Sequence, residues 1–511
     1  MAAKETKSPD LEQGAPDLDQ QPSETKPSDE AQCSDREAAD PNWVQWDGRD
    51  DPENPMNWPN SWKCINIGIM SLLTLISPLA SSMFAPGVPQ LMDDFNTTSK
   101  QLATFVVSIY MFGYAFGPLI FAPLSEIYGQ LYLYNVGNAF FVIFCIGAAL
   151  STSIEMLMVF RFLMGVVGSI PTTIGVGSIV DTVTLEFRGR AVSLWAMGPL
   201  LGPSIGPTAG GYLIHAAGWR WVYWLLAILG GSFSILLFFM RESYAPVILQ
   251  RKAERLRKQT GNPDLRCELN TGSLESVKLA AVRPLKFLFT TPVVLCIALY
   301  VGISNGILGL LIATFSFVYV DQYNFNEGEA GLSFLPAGLG MMVGVLSFGH
   351  ISDLLVRRWK KKQDPESKYQ PEVKIIPWLT VPTGLALPIG LCVYGWTTQE
   401  QVHWVVPMIG VFIFSTGLLG TTMTLQNYLI DSYLRYAASG SAATTVVRSL
   451  IGALLPLSGL SLYESLGLGW GNSLLGFVSL ALIPIPLVLY YLGERIRRQS
   501  PFYTPPPLAV N

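Results

Sequence analysis

Residues 198–211 read Gly-Pro-Leu-Leu-Gly-Pro-Ser-Ile-Gly-Pro-Thr-Ala-Gly-Gly. Glycine recurs at every fourth position and an α-helix turns once in about 3.6 residues, so these glycines share one face on which a second backbone can lie close. The prolines between them bend the helix. The stretch predicts a bent, closely packed membrane helix, with ordinary glycine-mediated packing as the alternative to a specialised role. The residues of this motif are Gly198, Pro199, Gly202, Pro203, Gly206, Pro207, Gly210 and Gly211.

Apolar runs like the one that contains this motif fill most of the chain. Of the 511 residues, 50% are hydrophobic and only 14% are charged, compared with about 25% charged residues in soluble domains. Each run is about 20 residues long, which is enough to cross a bilayer as a helix. We predict an all-α membrane protein with twelve spans, numbered 1 to 12, at 64–86, 101–123, 131–150, 156–179, 192–214, 220–240, 291–319, 330–350, 375–396, 404–427, 438–463 and 472–492.

Basic residues are concentrated in alternate loops. The segments 241–290 and 353–374 are rich in lysine and arginine, whereas the intervening loops contain only Lys100 as a basic residue. By the positive-inside rule the basic loops and both chain ends face the cytosol, which requires an even number of spans. Asn96 begins an Asn-Thr-Thr acceptor for N-glycosylation in the first loop predicted to face outside. A chance occurrence of this tripeptide is an equally good explanation.

The chain looks duplicated with an offset of about 250 residues, which is typical of transporters built from two halves. Asp181 at the end of span 4 is matched by Asp431 at the end of span 10, and Gly218-Trp219 by Gly469-Trp470. Ser125-Glu126 after span 2 is matched by Ser352-Asp353 after span 8. The predicted divisions are a disordered acidic cytosolic tail (1–62), a first six-helix half (63–241), a basic cytosolic linker (242–290), a second half (291–494) and a cytosolic tail (495–511).

Several motifs together resemble the major facilitator superfamily, and in particular its fungal twelve-span drug:proton antiporters. The 198–211 stretch resembles the antiporter motif in span 5 of that superfamily. Residues 117–129 (Gly-Pro-Leu-Ile-Phe-Ala-Pro-Leu-Ser-Glu-Ile-Tyr-Gly) resemble its signature between spans 2 and 3, and Arg161-Phe-Leu-Met-Gly165 its signature in span 4. Further marks of the fungal group are Glu186–Ala191, Gly218–Trp221, Glu242–Val247, Gly331–Pro336 and Gly493–Arg497. One departure is Gly129-Gln130-Leu131, where the family usually has Gly-Arg-Arg.

Ionisable residues inside a membrane are expensive and indicate function. Arg161 and Arg448 are the two that lie well inside a predicted span. We expect roles in gating or proton coupling, with structural hydrogen bonding to helix ends as the alternative. A coupling proton ordinarily needs a carboxylate or histidine whose pKa changes with burial. The carboxylate candidates near the cytosolic helix ends are Glu126, Asp181, Asp353 and Asp431, for which helix capping or pairing with Arg188 and Arg190 is an equal alternative.

The resemblance implies a substrate cavity lined by spans 1, 4, 7 and 10. The predicted cavity residues are Asn66, Asn305, Gln426 and Asn427 of these spans, and span 2 adds Tyr110 and Tyr114. No Asp or Glu lies in the middle of a span, and a polycation needs buried carboxylates to replace its hydration. These features predict a neutral or weakly anionic lipophilic cargo, a toxic metabolite or a drug, and the resemblance implies its export by proton antiport. A polyamine exporter or a proton-linked importer on the same fold is the alternative.

The sequence disfavours other classes of protein. The 3 histidines and 6 cysteines are scattered and form no cluster typical of a metal site. Neither a catalytic grouping nor a G-x-x-x-x-G-K-[ST] phosphate loop is present, so an enzyme or an ATP-driven pump is not expected. We expect no cofactor beyond the proton gradient, no nucleic-acid partner, a lipid bilayer as surroundings and a monomer. The resemblance implies the fungal plasma membrane, with a vacuolar or vesicular membrane as the alternative.

Overall fold

The computed structural model describes residues 42–500, except 49, 98, 268–273, 363–369 and 434–436. Within these ranges the chain is helical, with one isolated β-bridge and no strand. The predicted all-α class is confirmed.

The first half contains spans 1 to 6. Prolines lie inside the helices of spans 1, 2 and 5, where neighbouring helices satisfy the carbonyls that they free. Span 4 is broken into two helices at Ser169. The helices are Asn60–Ser82 (span 1), Lys100–Tyr128 (span 2), Gln130–Ala149 (span 3), Ile154–Gly168 and Ile170–Thr182 (span 4), Leu185–Ala217 (span 5) and Arg220–Leu237 (span 6), with a short helix Val88–Asp94 before span 2.

The second half contains spans 7 to 12 and follows the linker helices Ala245–Thr260 and Leu274–Thr290. A short helix, Glu327–Leu332, precedes span 8 and begins with a capping box between Asn326 and Glu329. The helices are Pro292–Tyr323 (span 7), Leu335–Lys362 (span 8), Pro377–Gln399 (span 9), Val405–Ser432 (span 10), Ala437–Leu454 and the start of Gly459–Leu482 (span 11), and the remainder of that helix with Pro484–Arg498 (span 12).

Ten helical segments of the described chain are long and apolar enough to cross a membrane. Span 5, rich in glycine and proline, is not one of them, and the segment Ser439–Arg498 contains both spans 11 and 12. Within that segment the Tyr463 hydroxyl donates a 3.1 Å hydrogen bond to Oδ1 of Asn472. Residues nine apart in a straight helix lie about 13 Å apart along its axis, so the chain reverses between them. Because span 5 adds one helix and Ser439–Arg498 contains two, these ten segments are consistent with the twelve predicted spans.

The reversal occurs at Gly467, whose φ of 76° is close to that of Gly218 before span 6 (88°). Glycine adopts such positive φ angles without steric cost. The residue of the second half that corresponds to Gly218 is therefore Gly467, and the predicted match between Gly218-Trp219 and Gly469-Trp470 is displaced by two residues.

Two faces of the helical bundle are named here by the turns they carry. The linker face carries Gly129 and residues 183–184 and 238–244. The distal face carries residues 95–97, 99, 150–153, 324–326, 400–404 and Gly467. The largest cluster of buried apolar side chains contains residues of both halves and lies toward the distal face. Toward the linker face each half has a cluster of its own. Apolar packing therefore joins the halves at the distal face.

Residues 42–45 and 249–267 form a separate small unit. Trp43 and Arg266 form a parallel bridge, and Nζ of Lys252 donates to the carbonyl of Gln45 over 3.3 Å. The rest of the predicted tail up to span 1 includes a 3₁₀ turn, Pro55–Asn57, capped by Asn54. Part of the segment predicted to be disordered is thus ordered, and residues 1–41 lie outside the described chain.

Candidate functional site

Span 5 contacts the second half through small side chains. The Thr208 hydroxyl donates to the carbonyl of Gly331 over 3.0 Å. A Cβ atom on Gly338 would lie 2.0 Å from Cβ of Ser204, so only glycine lets span 8 come this close. Both contacts lie on the distal side of the bundle, where the halves meet.

The opposite side of span 5 packs against span 1 through the predicted glycine stripe. A Cβ atom on Gly202 would lie 2.3 Å from Cβ of Pro78, and one on Gly210 would lie 2.0 Å from the carbonyl oxygen of Met83. Gly198 and Gly206 also lie against span 1. The bent helix of the antiporter motif is thus held on one side by its own half and on the other side by the second half.

Spans 2 and 11 form the other seam between the halves. Near the distal face, Nε2 of Gln101 donates to Oγ of Ser461 over 3.1 Å. Deeper in the bundle, Gly452 of span 11 faces the side chain of Met111. Ser316 of span 7 also donates to the carbonyl of Ala85, over 3.2 Å. These contacts close the distal side of the bundle.

Arg161 is fully buried and binds three other spans of its own half. Its guanidinium donates to the carbonyls of Val106 (2.6 Å) and Val107 (3.1 Å) in span 2, and to that of Ser81 (3.2 Å) in span 1. It also donates to the hydroxyl of Tyr223 (2.9 Å) in span 6. The ring of Phe84 lies 5.2 Å from the guanidinium, a distance typical of a cation–π contact. Arg161 therefore ties together the distal part of the first half.

Gln130, the departure from the family pattern, is buried at the linker face. Its Nε2 donates to Oδ2 of Asp181 (2.9 Å), and its Oε1 accepts from the hydroxyls of Ser178 (2.5 Å) and Ser243 (2.8 Å). The carboxylate of Glu242 accepts hydrogen bonds from the backbone amides of residues 130 and 131, each at a distance of 3.1 Å. Gln130 thus links the loop after span 2, the end of span 4 and the segment after span 6.

The equivalent region of the second half uses charged groups. Nζ of Lys374 lies 2.6 Å from Oδ2 of Asp431, and Arg497 forms an ion pair with Glu372. Tyr433 packs on Phe287 with a ring separation of 5.1 Å, and its burial raises its pKa to about 12 although Arg497 opposes the shift. The loop before span 9 is therefore fastened to the ends of spans 10 and 12.

The predicted cavity residues of the first half lie mostly inside its packed interior. Asn66 is 1% exposed, and its Oδ1 accepts from the backbone amide of Arg241 (3.2 Å). The hydroxyl of Tyr110 forms a 2.9 Å hydrogen bond with Ser77, and that of Tyr114 bonds to Thr172. The structure therefore places Asn66 and Tyr110 between helices of one half and not at a cavity surface, because close helix packing covers them.

The remaining cavity candidates lie in spans 7 and 10 and are half-buried. Asn305 donates to the carbonyl of Val301 in its own helix over 2.8 Å. Gln426 donates to Oγ of Ser441 in span 11 over 3.1 Å, and Asn427 is its neighbour. Arg448 of span 11 is also half-buried and interacts electrostatically with Tyr114 of span 2 across the seam.

Three other predicted residues lie at the two faces of the bundle. Glu126 is exposed at the end of span 2, and Arg283 of the linker interacts with it electrostatically. Asp353 belongs to the helix of span 8, but its side chain lies outside the described part of the structure. Asn96 is exposed in a turn with φ of 50°.

The sequence model of a protein family, the Major Facilitator Superfamily, matches residues 70–456 of this chain. The chain belongs to the major facilitator superfamily. The efflux pump radE of Floropilus chiversii is 46% identical over 476 residues, which cover 91% of this chain and 87% of that protein. The MFS-type transporter penM of Penicillium rubens is 47% identical over 467 residues, 91% of each chain. The MFS transporter cpaT of Aspergillus oryzae is 46% identical, with coverages of 89% and 92%.

Solved structures share the major facilitator fold. The xylose transporter XylE from E. coli, in a partially occluded inward-open conformation, gives a TM-score of 0.60 at 16% identity, covering 84% of this chain and 98% of that one. A bacterial homolog of the human lysosomal transporter Spinster gives 0.59 at 14% identity, with coverages of 86% and 98%. The predicted family and fold are confirmed, and the protein is a membrane transporter and not an enzyme.

The contacts at the linker face of this transporter do not follow from its sequence. Glu242, Ser243, Glu372 and Lys374 were not predicted as site residues, yet they hold the loops after spans 2 and 8. Two signals were available: the departure at Gln130 and the Glu242–Val247 motif. Neither indicates which distant residue is the partner.

Proposed function

We propose that this transporter exports small lipophilic compounds by proton antiport and alternating access. The observation that carries the proposal is the asymmetry of the apolar packing, which joins the halves toward the distal face and is separate in each half toward the linker face. An alternating-access transporter rocks its halves between such an arrangement and its opposite. Export as the direction is favoured by relatives that include a named efflux pump.

Neutral polar groups of spans 2, 4, 7 and 10 favour a lipophilic cargo. Hydroxyls and amides such as those of Tyr114, Thr172, Asn305 and Gln426 orient a ligand by hydrogen bonds without demanding a charge. The half-buried cation Arg448 repels a polyamine and attracts an acidic group. A toxic secondary metabolite or a drug of neutral or weakly acidic character fits these features.

Proton coupling is assigned to carboxylates at the linker face. Asp181 and Glu126 are the candidates in the first half, and Asp431, paired with Lys374, is the candidate in the second. A carboxylate whose surroundings change as the halves rock changes its pKa and can release a proton on one side. We place the protein in the plasma membrane as a monomer with cytosolic ends, with a vacuolar or vesicular membrane as the alternative location.

Reconstitution in proteoliposomes tests the proposal. Inside-out vesicles that are acidic inside are expected to accumulate a fluorescent lipophilic dye, and a protonophore is expected to abolish this accumulation. Liposomes without protein are the blank. Accumulation that persists unchanged after the gradient collapses contradicts antiport. Spermidine transport in place of dye transport supports the polyamine alternative, and proton-driven movement in the opposite direction supports the importer.

A further inference from the structure

Arg448 lies on the side of span 11 that faces span 2. One turn further along, Gly452 faces Met111 of span 2. The neighbouring residues Val447 and Ile451 occupy a different side of the helix and pack on glycines of span 7. Arg448 is thus directed to the seam between the halves and not into the core of its own half.

The position is deep in the membrane. Arg448 lies about 16 Å along the helix from Ala437 at a rise of about 1.5 Å per residue, close to the middle of a hydrocarbon core about 30 Å thick. A cation at this depth is costly and ordinarily pairs with an anion or faces a water-filled cavity. Arg448 is half-buried, so part of its surface remains accessible.

The two membrane arginines differ in how they are satisfied. Arg161 donates four hydrogen bonds and is fully buried, so it offers nothing to a ligand. For Arg448, no ion pair with a carboxylate is present among the described residues. Tyr114, whose hydroxyl bonds to Thr172 of span 4, interacts electrostatically with Arg448. Arg448 and Tyr114 each lie about one helical turn from the contact between Gly452 and Met111. A cation and a phenol therefore occupy the same stretch of this seam, and no carboxylate of the described residues forms an ion pair with the cation.

We propose that Arg448, assisted by Tyr114, is the subsite that binds the anionic group of a lipophilic weak acid, a carboxylate or phenolate, during transport. The proposal rests on the proposed function and specifies its substrate class. A guanidinium binds a carboxylate through two parallel hydrogen bonds, which lysine does not reproduce. The apolar remainder of the cargo lies against the side chains that line the seam.

Competing export of a lipophilic carboxylic acid and its methyl ester tests this assignment, because the two differ in one charge. In proteoliposomes Arg448→Gln is expected to lower the ratio of acid export to ester export by about tenfold. Arg448→Lys is expected to lower it by about threefold, because the charge stays and the two-point contact is lost. Arg251→Gln, on an exposed side chain of the linker helix, is the matched control and leaves the ratio unchanged.

An unchanged ratio in Arg448→Gln, or equal loss of acid and ester export, overturns the subsite. If Arg448→Gln does not fold, Arg448→Lys and Tyr114→Phe decide the question by the same ratio in protein that melts like wild type. Failure of the wild-type chain to export either compound rejects the proposed function itself. If the wild type exports both compounds and Arg448→Gln leaves the ratio of acid export to ester export unchanged, only the subsite is rejected.

Discussion

The side-chain amide of Gln130 donates a 2.9 Å hydrogen bond to the carboxylate of Asp181. In the second half the corresponding carboxylate, Asp431, lies 2.6 Å from the ammonium of Lys374. Both contacts fasten the loop after the second helix of a half to the end of its fourth helix. The duplicated halves therefore share one arrangement, with a neutral donor in the first half and a cation in the second.

Replacement of Gln130 by alanine is expected to destabilise the first half. The buried amide has three partners, Asp181, Ser178 and Ser243, and each buried polar group left unsatisfied costs about 1–3 kcal/mol. We expect a melting temperature several degrees lower in detergent, measured with a thiol-reactive dye. Gln130→Arg is expected to retain wild-type stability, because its guanidinium can pair with Asp181 and donate to the hydroxyls of Ser178 and Ser243, which also act as acceptors. The exposed Gln250→Ala is the control, and equal melting of all variants contradicts the prediction.

Arg161→Lys is expected to be destabilised and inactive although the charge is kept. A lysine ammonium is a compact point charge, and it does not reach acceptors on spans 1, 2 and 6 together as the guanidinium does. Loss of two or more charge-assisted hydrogen bonds costs about 1.5–3 kcal/mol each. Thermal melting and dye transport measure the two effects. A variant that melts like wild type but no longer couples transport to the proton gradient contradicts a purely structural role.

Gly210→Ala is expected to impair transport several-fold, because the new Cβ meets the Met83 carbonyl 2.0 Å away and forces span 5 from span 1. Gly231→Ala is a matched control in another span, since nothing lies within 4 Å of its Cβ position. Alanine at position 231 is expected to leave transport unchanged and to stabilise the helix slightly, by up to about 1 kcal/mol. Initial transport rates at equal reconstituted amounts decide the comparison, and equal rates for the two variants refute it.

Cysteines at positions 101 and 461 are expected to form a cross-link that stops transport. In the wild type, Gln101 and Ser461 are hydrogen-bonded across the seam at the distal face, over 3.1 Å. In a background without the native cysteines, a short bis-methanethiosulfonate cross-linker, whose bonds to cysteine are reducible, should join Gln101→Cys to Ser461→Cys and abolish dye transport, and reduction should restore it. Each single cysteine variant is the control. Full transport by the cross-linked protein would show that this seam does not open during the cycle.

The helices can be predicted from the sequence, because a long apolar run that crosses a bilayer is stable there as an α-helix. Every backbone group in lipid must be satisfied within the segment, so a run of this length becomes a helix. The ends of the helices are harder to predict, because a helix can continue beyond its apolar core. The sequence predicts span 10 at 404–427, whereas its helix extends over Val405–Ser432. Span 12 begins earlier than predicted, because the turn at Gly467 depends on a backbone angle that local hydropathy does not reveal.

The partners of the site residues were not predictable from local patterns. Gln130 and Glu242 are 112 positions apart in the chain, yet they meet at one face of the bundle. The sequence shows that Arg161 is a charge in a membrane span. It does not show which carbonyls accept hydrogen bonds from Arg161, because these belong to other helices and are brought close only by helix packing. Asn66 looked suited to a cavity by its span and polarity, and its burial against the segment after span 6 became visible only in three dimensions.

The sequence alone determined that the chain crosses a membrane repeatedly as two related halves, because hydropathy and motif order are properties of the linear chain. Tertiary structure decided which face the halves share and which arginine is sealed by hydrogen bonds while the other remains accessible at the seam. These outcomes depend on how helices pack side by side, and residues distant in sequence become neighbours only through that packing.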